Sequence, residues 1–136
     1  MQIYKTKTKQ LPGTSYKEIK KKAFGLYLEI KKRCKRKPYV RSVYFKKEKI
    51  FLDFFWAHIF SKNYWDQMRR MKFFACALEL IQKSHFKPTT KNNPNKPQEV
   101  LHRFHGISAD NELFFVQIKE NKRTGKKYLI SVFPEE

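Results

Sequence analysis

The sequence predicts an α+β domain in which amino-terminal helices pack on one face of a carboxy-terminal antiparallel β-meander. Three observations carry this. Apolar residues recur at three- and four-residue steps in the first two thirds of the chain, alternating runs fill the last third, and only short turn sequences separate those runs. The 136 residues suffice for one domain with a core of its own. Aromatic residues make up 16% of the chain against 4 Gly and 6 Pro, so there is apolar mass to offset the entropy of ordering, and a disordered basic arm is disfavoured.

Met1 to Pro12 is polar and basic and shows no period. Ser15-Tyr16-Lys17-Glu18 has the form of a capping box, in which each end of the motif satisfies orphan amides of the other. Ile19, Ala23, Leu26, Tyr27 and Ile30 follow at helical spacing to about Cys34, and Pro38 enforces a stop. Tyr39 to Phe45 and Ile50 to Phe55, separated by Lys46-Lys47-Glu48-Lys49, read as a hairpin, with a lead into a helix as the alternative for the second run. Trp56 to about Ser84 is helical, broken near Ser61-Lys62-Asn63, with an apolar stripe of Trp65, Met68, Phe73, Cys76, Leu80 and Ile81. Prolines and asparagines make Lys87 to Gln98 a loop. Val100 to His105, Glu112 to Lys119 and Lys127 to Phe133 are the strands of the meander. The chain reads as a single domain, 1–136, with a basic helical segment at 1–38 and an α+β core at 39–136.

Lys and Arg number 31 and Asp and Glu 12, a formal net charge of +19, which points to a polyanionic partner. Cys34 and Cys76 form neither a metal-ligand pattern nor a disulfide framework, a usage that fits a cytoplasmic protein. Neither a secretory leader nor a membrane partner is expected, since no apolar run approaches the ~18 residues of a membrane span. Without C-x-x-C, H-E-x-x-H or a Gly-rich phosphate loop, neither a metal nor another cofactor is expected.

Alternation in the meander gives one nearly apolar face of Phe104, Phe114, Val116, Ile118, Ile130 and Val132, to be covered by the helices. Tyr128 falls on that face too. The opposite face mixes Arg103, His105, Gln117, Lys119 and Ser131 with Leu101, Phe115, Leu129 and Phe133. Symmetric turns set Arg103 and Ser131 on either side of Phe115, about 10 Å apart across two strand spacings, a span suited to one phosphate. The ordinary alternative is a solvated face. His102 and His105 project to opposite faces, leaving His105 on the side of Arg103. His58 stands among Phe54, Phe55, Trp56 and Ile59, where packing competes with chemistry. Lys122, Arg123, Lys126 and Lys127 surround a turn, as solvated charge or as a phosphate-contacting arm.

The stretch Phe54-Phe55-Trp56-Ala57-His58-Ile59, the run Arg69-Arg70-Met71-Lys72-Phe73-Phe74-Ala75-Cys76-Ala77-Leu78-Glu79-Leu80-Ile81, the joint Leu101-His102-Arg103-Phe104, and the strands Phe115 to Lys119 and Tyr128 to Pro134 resemble the phage-associated branch of the barnase, EndoU, colicin and RelE nuclease-like superfamily. The resemblance covers roughly Tyr39 to Pro134. It implies helices packed on an antiparallel sheet, and metal-independent cleavage of RNA by a toxin or mobile-element effector. By position it implies roles for His58, Arg103, Lys119 and Ser131.

In such cleavage the ribose 2′-OH attacks the adjacent phosphorus, which requires a base, an acid and cations for the charge on the phosphoryl oxygens. The sequence reading gives proton transfer to His58 or His105, charge stabilisation to Arg103 and Lys119, and orientation to Ser131. Lys122, Arg123, Lys126, Lys127, Arg69 and Arg70 would contact the nucleic acid. RNA is the expected partner, and an acidic inhibitor protein, or antitoxin, is a second. The alternative is a non-catalytic nucleic-acid-binding protein of the same fold.

Overall fold

Alternation along the last third forms three long strands: β5 (Glu99–Ile107), β6 (Leu113–Asn121) and β7 (Lys127–Pro134), paired antiparallel in sequence order. They appear in a computed structural model that describes residues 2–135. Ahead of them come β1 (Tyr4–Lys5), α1 (Tyr16–Arg33), β2 (Tyr39–Ser42), β3 (Glu48–Phe51), α2 (Asp53–Ile59), α3 (Tyr64–Met71), α4 (Phe74–Lys83) and β4 (Thr89–Asn92).

The predicted architecture of helices over an antiparallel meander is overturned. The meander is the centre of a seven-stranded mixed sheet of order β1-β5-β6-β7-β3-β2, with β4 also paired to β5. Two pairings are parallel, β1 with β5 through Tyr4 and Lys5, and β3 with β7 through Ile50 and Phe51. β3 reaches β7 across most of the chain, so its partner cannot be read from local pattern. The run Ile50 to Phe55 divides between strand and helix: after Phe51 the chain turns at the buried Leu52 and coils into α2. α2 and α3 then pack against β7.

Local chemistry explains the helix ends. Ser15 accepts the Glu18 amide at 3.2 Å, while Glu18 reaches back to the Thr14 amide at 3.2 Å, one residue earlier than a strict capping box requires. Asn63 caps α3 by accepting the Asp66 amide at 2.8 Å, fixing the break expected near Ser61-Lys62-Asn63. Trp65, expected on the apolar stripe, is 66% exposed because this new helix starts on a different phase.

One hydrophobic cluster unites the layers. Ile19, Ala23 and Ile30 of α1 meet Phe55 and Trp56 of α2, Phe74 and Leu80 of α4, and the sheet's Phe104, Phe114, Val116, Ile118, Leu129 and Val132. The basic segment at 1–38 therefore contributes its helix to the same core. Gly106 lies against this core: a Cβ there would sit 2.5 Å from the Phe114 ring and 2.9 Å from Leu80. Gly106→Ala should cost about 1–3 kcal/mol through overpacking, measured as a lower urea midpoint.

Glu79 anchors the amino-terminal strap. Its carboxylate accepts the Tyr4 hydroxyl at 2.8 Å, the Lys7 amide at 2.9 Å, the Thr8 amide at 3.0 Å and the Thr8 hydroxyl at 2.6 Å. Burial opposes ionisation of Glu79, but these hydrogen bonds outweigh it and hold the carboxyl below its ordinary pKa of 4.5. A depressed carboxylate pKa gives stability that is full above the unfolded value and declines as pH falls through the folded one. Acidification through pH 4.5 should therefore progressively loosen the strap, read as amide exchange at Tyr4 to Thr8. Glu79→Ala should abolish that pH dependence and cost about 1.5–3 kcal/mol, the scale of hydrogen bonds to a charged group.

Candidate nucleic-acid interface

Strand alternation divides the meander as its side chains require. Val100, His102, Phe104, Phe114, Val116 and Ile118 face the helices, whereas Arg103, His105, Phe115, Gln117 and Lys119 face away from them. In β7 the alternation is interrupted. Ile118 pairs with Leu129 and Gln117 with Ser131, leaving Ile130 as the extra residue of a bulge. Leu129 thus takes the core position expected for Ile130, and Tyr128 moves to the open face beside Phe51 at 5.7 Å. Ser131 and Phe133 stay on the open face.

The register aligns Arg103, Gln117 and Ser131 in one row and His105, Phe115 and Phe133 in the next. Gln117, rather than Phe115, therefore lies between Arg103 and Ser131. A hollow of about 480 Å³ opens over these rows, lined by Lys62, Arg70, Arg103, Gln117, Ser131 and Phe133, together with Phe115 and Pro134. Among the described residues no carboxylate lines it.

The two guanidinium groups are held by rings, a hydroxyl and a side-chain amide. Arg70 comes from α3 and donates from Nη1 to Ser131 Oγ at 2.9 Å, with its guanidinium carbon 5.5 Å from the centre of the Phe133 ring. Asp66, one turn earlier, lies 3.2 Å from Arg70 Nε and steadies the side chain from behind. Arg103 is 5.3 Å from the same Phe133 ring and 5.9 Å from that of Phe115, and donates to Gln117 Oε1 at 3.4 Å. Two guanidinium forks therefore share one aromatic ring, with donors left over for a phosphate.

His105 stands beside Arg103 in an adjoining hollow of about 220 Å³ that also takes in Thr89, Lys91, Leu101 and Gln117. Its Nε2 is 3.3 Å from Thr89 Oγ1 and its ring meets Phe115 edge-on at 5.2 Å. Burial, and then the neighbouring Arg103 charge, lower its pKa below the ordinary 6.5, so the free imidazole is neutral at pH 7. In the free protein the His105 ring should titrate below pH 6.5, and Arg103→Gln should move that midpoint upward, as NMR of the ring protons would record.

Other residues singled out in the sequence lie elsewhere. Lys119 does not line either hollow: it lies 3.9 Å from Glu99 Oε2 and 5.2 Å from the Phe54 ring centre. His58 is exposed on α2, outside both hollows. His102 is on the core face, 2.7 Å from Glu120 and 2.9 Å from Thr90 Oγ1. Lys127 is removed from the basic tip: it is 5% exposed, pairs with Glu48, lies 3.7 Å from Glu120 and sits over the Phe45 ring at 4.9 Å. Lys122, Arg123 and Lys126 are exposed around the β6–β7 turn, and Arg69 pairs with Asp66 at 3.4 Å. Burial pushes the Cys76 thiol up to about 11, which makes it a packing residue.

Lys62 was not anticipated, and Arg70 only as a general contact, since both depend on how α3 crosses β7. Among the described residues, no three His, Cys, Asp or Glu side chains are grouped to hold a metal ion. No helix among them is long and apolar enough to cross a membrane. Compared with protein-family models, with curated proteins and with solved structures, the chain matches none.

Proposed function

We propose that this chain is a metal-independent RNA endonuclease of toxin or mobile-element type, with the scissile phosphate gripped in the open-face hollow. The observation that carries the reading is the convergence of Arg70, Arg103 and Ser131 on one hollow, with His105 alongside Arg103. The motif resemblance to the barnase, EndoU, colicin and RelE nuclease-like superfamily points the same way. Neutral His105 takes the proton of the ribose 2′-OH as its oxygen attacks phosphorus. Arg70 and Arg103 neutralise charge gathering on the phosphoryl oxygens, and Ser131 orients one of them. Lys62, the remaining cation of the hollow, supplies a proton to the leaving 5′-oxygen. The products are a 2′,3′-cyclic phosphate and a free 5′-OH. An acidic inhibitor protein would cover this same surface by charge complementarity.

A specific observation favours the second reading, a non-catalytic nucleic-acid binder. Of the 4 histidines only His105 lines either of these hollows, so a single imidazole is at hand there. Incubating the protein with RNA in excess chelator separates the two. The nuclease yields 2′,3′-cyclic phosphate ends and spares a substrate carrying 2′-deoxyribose at the cut site. Intact RNA with steeply salt-dependent binding would instead establish the binder.

A further inference from the structure

The open face carries a second feature that the hollow does not use. At the end of the sheet away from β5, a trough of about 760 Å³ runs over Tyr39, Phe51 and Tyr128. The sheet register sets these three rings in one row across β2, β3 and β7. Ring centres are 6.2 Å apart between Tyr39 and Phe51 and 5.7 Å between Phe51 and Tyr128, and Phe54 extends the row at 4.7 Å from Tyr128. Each ring is partly open to solvent, which is costly for an unpartnered apolar row.

Charge surrounds the row. Six cations line the trough, among them Arg36, Lys49 and Lys126, and no carboxylate lines it among the described residues. Lys49 Nζ lies 4.7 Å from the Tyr39 ring centre and Arg41 5.4 Å from it. The row also leads to the hollow. Tyr128 pairs with Lys119 on β6, and Gln117 of the hollow is two residues, or about 7 Å, further along that strand.

We infer that this aromatic row is a stacking platform for unpaired nucleotides of single-stranded RNA, holding the strand whose scissile phosphate lies in the hollow. The inference deepens the nuclease reading and rests on it for the course of the strand, whereas stacking itself requires no cleavage. Single-strand binders combine a basic groove that follows the backbone with aromatic faces that accept any base. Here the rings of Tyr39, Phe51 and Tyr128 are set within pleated strands, and Phe54 joins them from the first turn of α2, an arrangement that receives flat bases and offers little to penetrate a bilayer. A duplex hides its base faces and would engage only the cations.

The test uses fluorescence anisotropy with a ten-nucleotide RNA, methylated at every 2′-oxygen so that it cannot be cut, and a duplex of the same sequence. Phe51→Leu and Tyr128→Leu keep apolar bulk and remove the ring face. Each should weaken single-strand binding about tenfold, the low-to-middle range for loss of one stacked base, while duplex binding changes by less than about twofold. Equal losses on both ligands, an unchanged single-strand affinity, or a preference for vesicles of anionic phospholipid would overturn the platform. Photocrosslinking of the unaltered protein to 5-iodouridine RNA gives an answer independent of any variant's folding. Adducts on Tyr39, Phe51 or Tyr128 support the platform, and adducts found exclusively elsewhere refute it. Ring-dependent single-strand binding without any cleavage would leave the platform standing and remove the nuclease.

Discussion

Arg103→Ala should lower kcat/KM for RNA by about 10²–10³-fold, the usual result of removing one donor that stabilises transition-state charge. Arg103 is exposed and belongs to no core contact, so folding stability should stay within about 0.5 kcal/mol of the parent. The variant loses the fork lying over the Phe115 and Phe133 rings and leaves Arg70 as the guanidinium facing Ser131. Arg103→Lys should recover only part of the rate, because an ammonium restores charge without planar, paired donors. Arg70→Ala should fall in the same range. The double variant should lose less than the sum of the singles, since both cations act on one phosphate. Steady-state cleavage of a short labelled RNA checks all four, and an Arg103→Ala protein with parental activity would remove the assignment.

Phe114→Ala should destabilise the fold by about 3–5 kcal/mol, read as a fall in urea midpoint at unchanged slope. Phe114 is fully buried, stacks on Phe73 at 5.2 Å and fills the space left by the missing side chain of Gly106. Truncation leaves a cavity beneath the centre of the sheet, where strands on both sides hinder collapse. Domains of this size are stable by only about 5–15 kcal/mol, so the loss is a large share of the total. The adjacent residue provides the contrast. Phe115 points to the open face, and Phe115→Ala should cost far less stability while weakening RNA binding through the ring beneath Arg103.

The faces of β5 and β6 were legible in the sequence because a two-residue period admits one apolar side, and Phe104, Phe114, Val116 and Ile118 left no choice. β7 was legible only in its second half. No Gly or Pro marks the bulge at Ile130, and one extra residue exchanged the roles of Tyr128 and Leu129 and carried Lys127 inward. The inward turn of Lys127 is tolerated because Glu48 and Glu120 meet it, and those partners come from separate strands. β1 and β4 carry no local signature for a different reason. β1 has two residues, and β4 is Thr-Thr-Lys-Asn with every side chain exposed, so backbone pairing to β5 alone defines them. Of the candidate site, Arg103, His105 and Ser131 could be drawn from local alternation. Arg70 and Lys62 could not, because their approach depends on the Asn63 cap that restarts the helix along β7.

The most direct measurement is a crystal structure of the protein with a 2′-O-methyl RNA strand, which keeps the attacking oxygen blocked. A backbone phosphate lying within hydrogen-bond reach of Arg70, Arg103 and Ser131, with its 2′-oxygen turned to His105, is the predicted result. RNA seated only along the basic end of α1, with the open-face hollow filled by solvent, would contradict it.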